Sequence, residues 1–359
     1  MKLWPSYKKK WNRSLGWGLI ALASCVTPYE AEIHDLSTGI VVQGRVSNLP
    51  GPYSIKIVVP ASNAYKGLSF GVEKAKVYIT DNEGNREDLV EQKEPGLYQT
   101  TTLQGVTGRR YQLHIEARGK KYESSPEVLR SINPIERVYD ETFRSFEPNT
   151  GRERQGGWKV YVDTKDPSEP GNYYRWNWIR YKLTDVCATI DVPPGNPAFR
   201  FPCCGYCWDI VRCLGPDCVS LSSDALINGK TISRQLITNV PVECLDRVYL
   251  EVEQQSISRE AYIYWKATKQ MLQNTGGVFD SAPTAIPGNI RCITNPDEQV
   301  FGLFEVAGIT RKGHLVDRTQ AEYSNCPPIL PLPAGGVVGC APCVESRYRT
   351  AKTPDFWEF

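Results

Sequence analysis

Twelve cysteines are spread very unevenly along this 359-residue chain. Cys25 stands alone near the start, whereas Cys187, Cys203, Cys204, Cys207, Cys213, Cys218, Cys244, Cys292, Cys326, Cys340 and Cys343 all fall in the second half. Such density has two physical readings. In an oxidising compartment the thiols close disulfides, and in a reducing one they hold metal or carry redox chemistry. The compartment therefore decides what the second half of the chain can fold into.

Residues 1–24 supply the compartment. A basic stretch (Lys2, Lys8, Lys9, Lys10, Arg13) meets no acid before Cys25, an apolar run follows through Leu19, Ile20, Ala21, Leu22 and Ala23, and the small residue Ser24 precedes Cys25. This is the three-part build of an export signal. The apolar run reaches about half of the roughly 20 residues that a spanning helix needs, so it is a signal rather than an anchor. Leu22-Ala23-Ser24-Cys25 resembles a bacterial lipobox, in which the thiol is acylated and becomes the new amino terminus. Cys25 is thus the expected lipidation site. At about 0.8 kcal/mol per buried CH₂, its acyl chains hold a protein on a membrane without any spanning segment. An ordinary signal peptide cut nearby, leaving Cys25 as a spare thiol, is the alternative.

With export established as the expectation, the eleven later cysteines are disulfide candidates. Their odd number implies at least one unpaired thiol or a partner outside the chain, and spacing does not give the connectivity. Cys204-x-x-Cys207 followed by Cys213-x₄-Cys218 has the spacing of a zinc site, but an oxidising envelope favours bridges, with adjacent Cys203 and Cys204 reaching different loops. Cys340-Ala341-Pro342-Cys343 lacks the strand-helix setting of a dithiol oxidoreductase. A structural bridge, internal or to Cys326, is the expectation there. No metal and no cofactor are implied. Charge adds little, because 42 Lys+Arg face 40 Asp+Glu, and removal of residues 1–24 leaves 37 basic against 40 acidic groups, so nothing suggests nucleic-acid binding.

From Gly39 onward the hydropathy alternates with period two. Strands are expected at 40–46, 54–59, 76–80, 97–101, 111–117 and 121–124, separated by turn formers such as Asn48-Leu49-Pro50-Gly51 and Pro95-Gly96. In 111–117, Tyr111, Leu113, Ile115 and Ala117 fall on the buried face, which leaves His114 at the surface. The polar segment 131–157 reads as a crossing between domains. Beyond it, strands are expected at 158–163, 172–181, 232–236, 247–253 and 300–307, with a hairpin-turn signal at Asn228-Gly229. One helix stands out, from a Ser258 cap to about Asn274, with Ala261, Trp265, Thr268 and Leu272 on its buried stripe. The organisation that follows is a signal peptide (1–24), a tether (25–37), an N-terminal β-sandwich (38–132) and a larger disulfide-rich β domain with one or two helices (133–359), a mainly β protein.

Candidate chemistry is sparse. Tyr174, Trp176 and Trp178 alternate onto one strand face, with Tyr173, Arg175 and Asn177 on the other, and three aromatic rings in a row suit the apolar faces of sugars as well as a core. Asp163, Asp166 and Asp185 lack the spacing of a calcium loop. His34, His114 and His314 are the only histidines, and no G-x-S-x-G, H-E-x-x-H or P-loop motif is present, so no catalytic residues are assigned. A hydrolase built on two converging carboxylates stays open as an alternative.

The order of features resembles the Bacteroidota outer-membrane lipoproteins of domain-of-unknown-function family 4249. It is carried by Cys25, by Ile40-Val41-Val42-Gln43-Gly44-Arg45-Val46 with Gly51-Pro52-Tyr53, by Pro95-Gly96-Leu97-Tyr98, and by Gly108 to Leu113. Asn172-Tyr173-Tyr174-Arg175-Trp176, Cys204 to Trp208, Phe279-Asp280 through Pro287-Gly288-Asn289-Ile290, Val300 to Phe304, and the Cys340-x-x-Cys343 tail with Pro354-Asp355-Phe356-Trp357 complete it. The resemblance implies a lipid-anchored outer-membrane protein, facing the cell surface or the periplasm, with a carboxypeptidase-regulatory-like or immunoglobulin-like first domain. It implies no enzyme activity, and a TonB-dependent receptor β-barrel as partner. The functional expectation is an accessory or ligand-capturing subunit of such a transporter. A glycan- or peptide-binding module using Tyr174, Trp176 and Trp178, and an exported hydrolase, are the alternatives.

Overall fold

The structure, a computed structural model, describes residues 39–61, 68–187, 203–215, 218–244, 246–273, 286–324 and 341–355. The signal, Cys25, the tether, Cys326 and Cys340 lie outside the described residues, as do the side chains of Cys187, Cys203 and Cys204. The first half of the chain forms β1 (Val41–Ser47), β2 (Ser54–Pro60), β3 (Ser69–Gly71), β4 (Lys76–Asp81), β5 (Arg86–Asp88), β6 (Val90–Glu91), β7 (Leu97–Gln99), β8 (Arg110–Ala117), β9 (Lys120–Ser124) and β10 (Glu127–Val128). Then come β11 (Ile135–Phe146), β12 (Glu153–Lys165), β13 (Tyr173–Cys187), β14 (Cys203–Arg212), β15 (Ser220–Ser223), β16 (Thr231–Pro241) and β17 (Arg247–Ile257). The helix α1 (Arg259–Gln273) precedes β18 (Ile290–Cys292), β19 (Phe301–Asp317) and β20 (Arg349–Thr350). The protein is mainly β, as its alternating hydropathy requires, and among the described residues no helix is long and apolar enough to cross a membrane.

One sheet organises everything else. Its main path runs β20-β14-β13-β17-β19-β1-β2-β7-β6, and it ends up in two sandwiches. At the β1/β2/β7 end it packs on the sheet β18-β9-β8-β4-β5, burying Val42, Ile55, Ile57 and Phe304 against Ile79, Leu113, Ile115 and Tyr122. At the β13/β17 end it packs on β11-β12-β16, burying Tyr174, Trp176, Leu250 and Val252 against Trp158, Val160, Val162 and Ile237. Strand β19 belongs to both, because residues 301–307 run parallel to β1 and residues 308–317 run antiparallel to β17. Late strands thus complete early layers: β19 flanks β1, and β18 pairs with β9. The described residues form one compact unit.

The residues that carry the family resemblance explain themselves as devices of this fold. Tyr98 donates its hydroxyl to the Val72 carbonyl and accepts from the Ala75 amide, while Tyr53 donates to Ser47 and accepts from Gly105. Gly302 has φ +92°, and a Cβ there would lie 2.0 Å from the Val42 carbonyl oxygen, so only glycine lets β19 close on β1. Asn289 holds the Phe304 backbone through both its amide groups and donates to Glu127 at 3.1 Å.

Glu127 is buried beside the Ser258 cap of α1. Burial pushes its carboxyl up to about 7, against hydrogen bonds from Ser258 and Asn289. Its folded value lies above its unfolded one, so the native state binds the extra proton, and the protein loses stability as pH rises from about 4.5 to about 7. Glu127→Gln is expected to remove that slope and to match or exceed the wild type in urea midpoint at pH 8. A slope that survives the change would contradict the assignment.

Two expectations are corrected. The polar segment 131–157 is no crossing: Ile135–Phe146 and the first residues of β12 form a long hairpin. Only Ile135 and Val138 of β11 are buried, so neither face of its outer half is covered and period two carries no signal there. The helix caps as expected, Ser258 accepting from the Ala261 amide at 3.1 Å, but its stripe stops short. Ala261, Tyr262, Tyr264 and Trp265 pack on the sheet, whereas Leu272 is half exposed.

Oxidised pairs are present in the second half. Cys207 bridges Cys343 across 136 positions, Cys213 bridges Cys218, and Cys244 is also disulfide-bonded. The tail cysteine therefore pairs neither within its own C-x-x-C nor with Cys326. β20 pairs with β14, and Gly205 lies so close to Ala341 that a Cβ would come 2.1 Å from its carbonyl oxygen, which brings Cys343 to Cys207. Cys292 is a free buried thiol rather than a bridge, set on β18 inside the first sandwich.

Candidate functional site

The face of the large sheet that carries α1 is unusually polar for a covered surface. Along β17 the side chains of Glu251, Glu253 and Gln255 share it, and cross-strand neighbours bring Arg175 from β13 and Arg311 from β19 beside them. Leu303, Ala307 and Ile309 of β19 lie under α1 on this face, with Glu305 between them in the alternation. Arg45 of β1 sits opposite Glu305 in the register.

These groups form one continuous network. Arg175 donates through Nε to Gln255 Oε1 at 2.7 Å and through Nη2 to Glu305 Oε2 at 3.1 Å, and its guanidinium lies 4.0 Å from the centre of the Trp265 ring. Trp265 in turn donates Nε1–H to Glu305 Oε1 at 2.8 Å. Gln255 donates to Glu253 at 2.5 Å, and Glu253 accepts from Arg45 at 3.1 Å and from Arg311 at 2.7 Å. Planar guanidinium suits such a node because it stacks on an aromatic face and forks two hydrogen bonds at once. Burial pulls the Arg175 guanidinium below its ordinary value, against the Glu305 carboxylate. Burial also opposes ionisation of Glu253, yet Arg45, Gln255 and Arg311 hold its carboxyl below the usual range.

A cleft of about 330 Å³ opens on this network between α1 and the sheet. Arg45, Arg175 and Glu305 line it together with Gln43, Ser54, Tyr264 and Trp265. It offers two cations, one carboxylate, an amide, a hydroxyl and two aromatic side chains, most of them locked by partners beforehand.

The residues singled out in the sequence go elsewhere. Tyr174 and Trp176 are 2% and 1% exposed and belong to the core of the second sandwich. Neither ring presents a face to a ligand, so the three-ring stacking platform does not form. The alternation was right about which residues share a face, but β11-β12-β16 covers it. Tyr174 donates its hydroxyl to Asp166 at 2.6 Å, and Trp176 donates Nε1–H to Gln254 at 3.1 Å. Tyr174→Phe takes the donor from Asp166 Oδ1 and leaves that carboxylate with the Gly229 amide on Oδ2; it is expected to cost about 1–2 kcal/mol in a urea titration, and a change too small to resolve would count against this role. Trp178 is half-buried and lines a different cavity.

His114 points outward as expected, stacked on Tyr78 and hydrogen-bonded to Thr80 at 2.9 Å. His314 pairs with Asp140 at 2.5 Å, and neither lines the cleft. His34 lies outside the described residues. Among the described residues no group of three or more His, Cys, Asp and Glu side chains converges as a metal site would require. Asp163 is engaged by Arg137 and the Arg234 amide.

A family model described as a domain of unknown function (DUF4249) matches residues 26–313, four-fifths of the chain. The chain belongs to the DUF4249 family. No curated protein matches it. The match runs from β1 through most of β19, so it contains every strand and the helix that build the cleft.

Proposed function

We propose that this DUF4249 protein is a non-enzymatic outer-membrane lipoprotein, anchored through acylated Cys25, that captures a small polar ligand in the Arg175 cleft on behalf of a TonB-dependent transporter. The observation that carries the capture reading is the network under the cleft. Arg45, Arg175 and Glu305 are oriented by Glu253, Gln255 and Trp265 before any ligand arrives, which lowers the ordering cost of binding. The mixed charged, amide and aromatic lining suits orientation of a polar molecule. Support for the membrane address and the receptor partner is the lipobox at Cys25 and the resemblance to envelope lipoproteins.

The test is native purification in mild detergent, with intact-mass analysis of the mature chain. Acylated Cys25 and co-purification with a β-barrel receptor are expected; a bare Cys25, or protein that runs alone, overturns the reading. Turnover of a substrate that is lost on replacing Glu253 or Glu305 would favour the hydrolase instead.

A further inference from the structure

The large sheet has a gap along one edge of β13. Residues Tyr173–Trp176 pair there with β15 and residues from Ile179 onward pair with β14, so Asn177 and Trp178 have no ladder partner on that side. The Trp178 backbone amide turns instead to the Asn177 side chain at 2.8 Å. The chain that links β14 to β15 is closed into a small loop by the Cys213–Cys218 disulfide. Beside it lies a cavity of about 320 Å³, whose lining includes Trp178, Cys213, Thr238, Asn239 and, from α1, Lys269.

Two observations mark this cavity as a binding site. The Trp178 indole N–H is sealed from water and has no acceptor, a state that costs about 1–3 kcal/mol unless something compensates for it. Lys269, the one charged group in the lining, forms no ion pair among the described residues, and no carboxylate lines the cavity. The lining is thus rich in donors and cationic, with one aromatic ring. Its counterpart is a molecule with an apolar ring face, many acceptor oxygens and a negative charge.

We propose that the Trp178 cleft binds an acidic saccharide. The indole covers the C–H face of a sugar ring and, by a small turn on binding that opens its sealed edge, gives its N–H to a sugar oxygen, Thr238 and Asn239 serve neighbouring hydroxyls, and Lys269 takes the carboxylate in a charge-assisted hydrogen bond. The site is separate from the Arg175 cleft, so its ligand need not be the transported one.

Calorimetric titration of the full-length protein with tetragalacturonic acid and with its fully methyl-esterified form tests this, since the two probes share one sugar backbone and differ at the carboxyl groups, charged in one and neutral esters in the other. The free acid is expected to bind about tenfold more tightly, with the preference shrinking at high salt. Lys269→Gln, at a half-buried position of α1, is expected to bring the two probes level, and Trp178→Phe, which keeps a ring but no N–H, to weaken both. Failure of the free acid to bind at about 10 mM, equal binding of the two, or a preference unchanged by Lys269→Gln would overturn the proposal.

Discussion

Arg175→Met is expected to destabilise the protein by about 3–5 kcal/mol, the cost of removing one partner from a buried ion pair while leaving the other charge in place. The side chain is almost wholly buried between Trp265, Gln255 and Glu305. Methionine fills much of the volume but leaves the Glu305 carboxylate with the Trp265 indole alone, and it takes the donor from Gln255 Oε1. The loss should therefore be electrostatic rather than a packing defect. Adding Glu305→Gln on top of Arg175→Met discriminates the two causes, because it removes the stranded charge and should restore a large part of the urea midpoint. A double variant no better than the single one would point to packing instead. Arg175→Lys is also expected to be poorly tolerated, since an ammonium neither stacks flat on Trp265 nor forks to two acceptors.

Cys343→Ser is expected to cost about 4 kcal/mol. Closing a loop across 136 positions restricts the unfolded chain strongly, and the chain-entropy relation gives a value of this size, somewhat reduced by shorter bridges inside the loop. The native end of the effect is local. Residues 341–355 are held by the two-residue strand β20 and by Arg349 on Asp209 at 2.6 Å, besides the disulfide. Limited proteolysis of the variant should accordingly clip the tail well before the core, whereas the wild type resists until the disulfide is reduced. Equal urea midpoints and identical cleavage patterns would show that the bridge is dispensable.

Much of the fold was legible in the residues because one-sided burial leaves a clean period. Tyr111, Leu113, Ile115 and Ala117 alternate and are all buried, and β1, β2, β4 and β9 lie within a residue or two of where the pattern puts them. β11 was missed because its outer half has solvent on both sides. The site was largely hidden for a different reason. Arg175 was placed on the correct face of its strand, but its partners Gln255 and Glu305 lie 80 and 130 positions away, and nothing local announces such a pairing. A run of charged and amide residues inside a strand that ought to be buried, Glu251 to Gln255, was the available signal. Aromatic clustering drew attention to Tyr174 and Trp176, which the third sheet conceals. The cysteine count foretold a leftover thiol, found at Cys292, but pairing depends on β20 returning to β14.

The parallel seating of β19 next to β1 has a consequence for how the molecule is made. A polypeptide born from its amino end presents residues 41–124 first, yet the slot beside β1 stays vacant until residues near 301 arrive, and the edge of β9 waits for 290–292. Those early strands must pass the interval with an open seam, exposed to mispairing, so maturation is governed by the last fifth of the chain. Fragments that stop short of Asp317 are consequently poor candidates for autonomous assembly, however complete their opening hundred residues look.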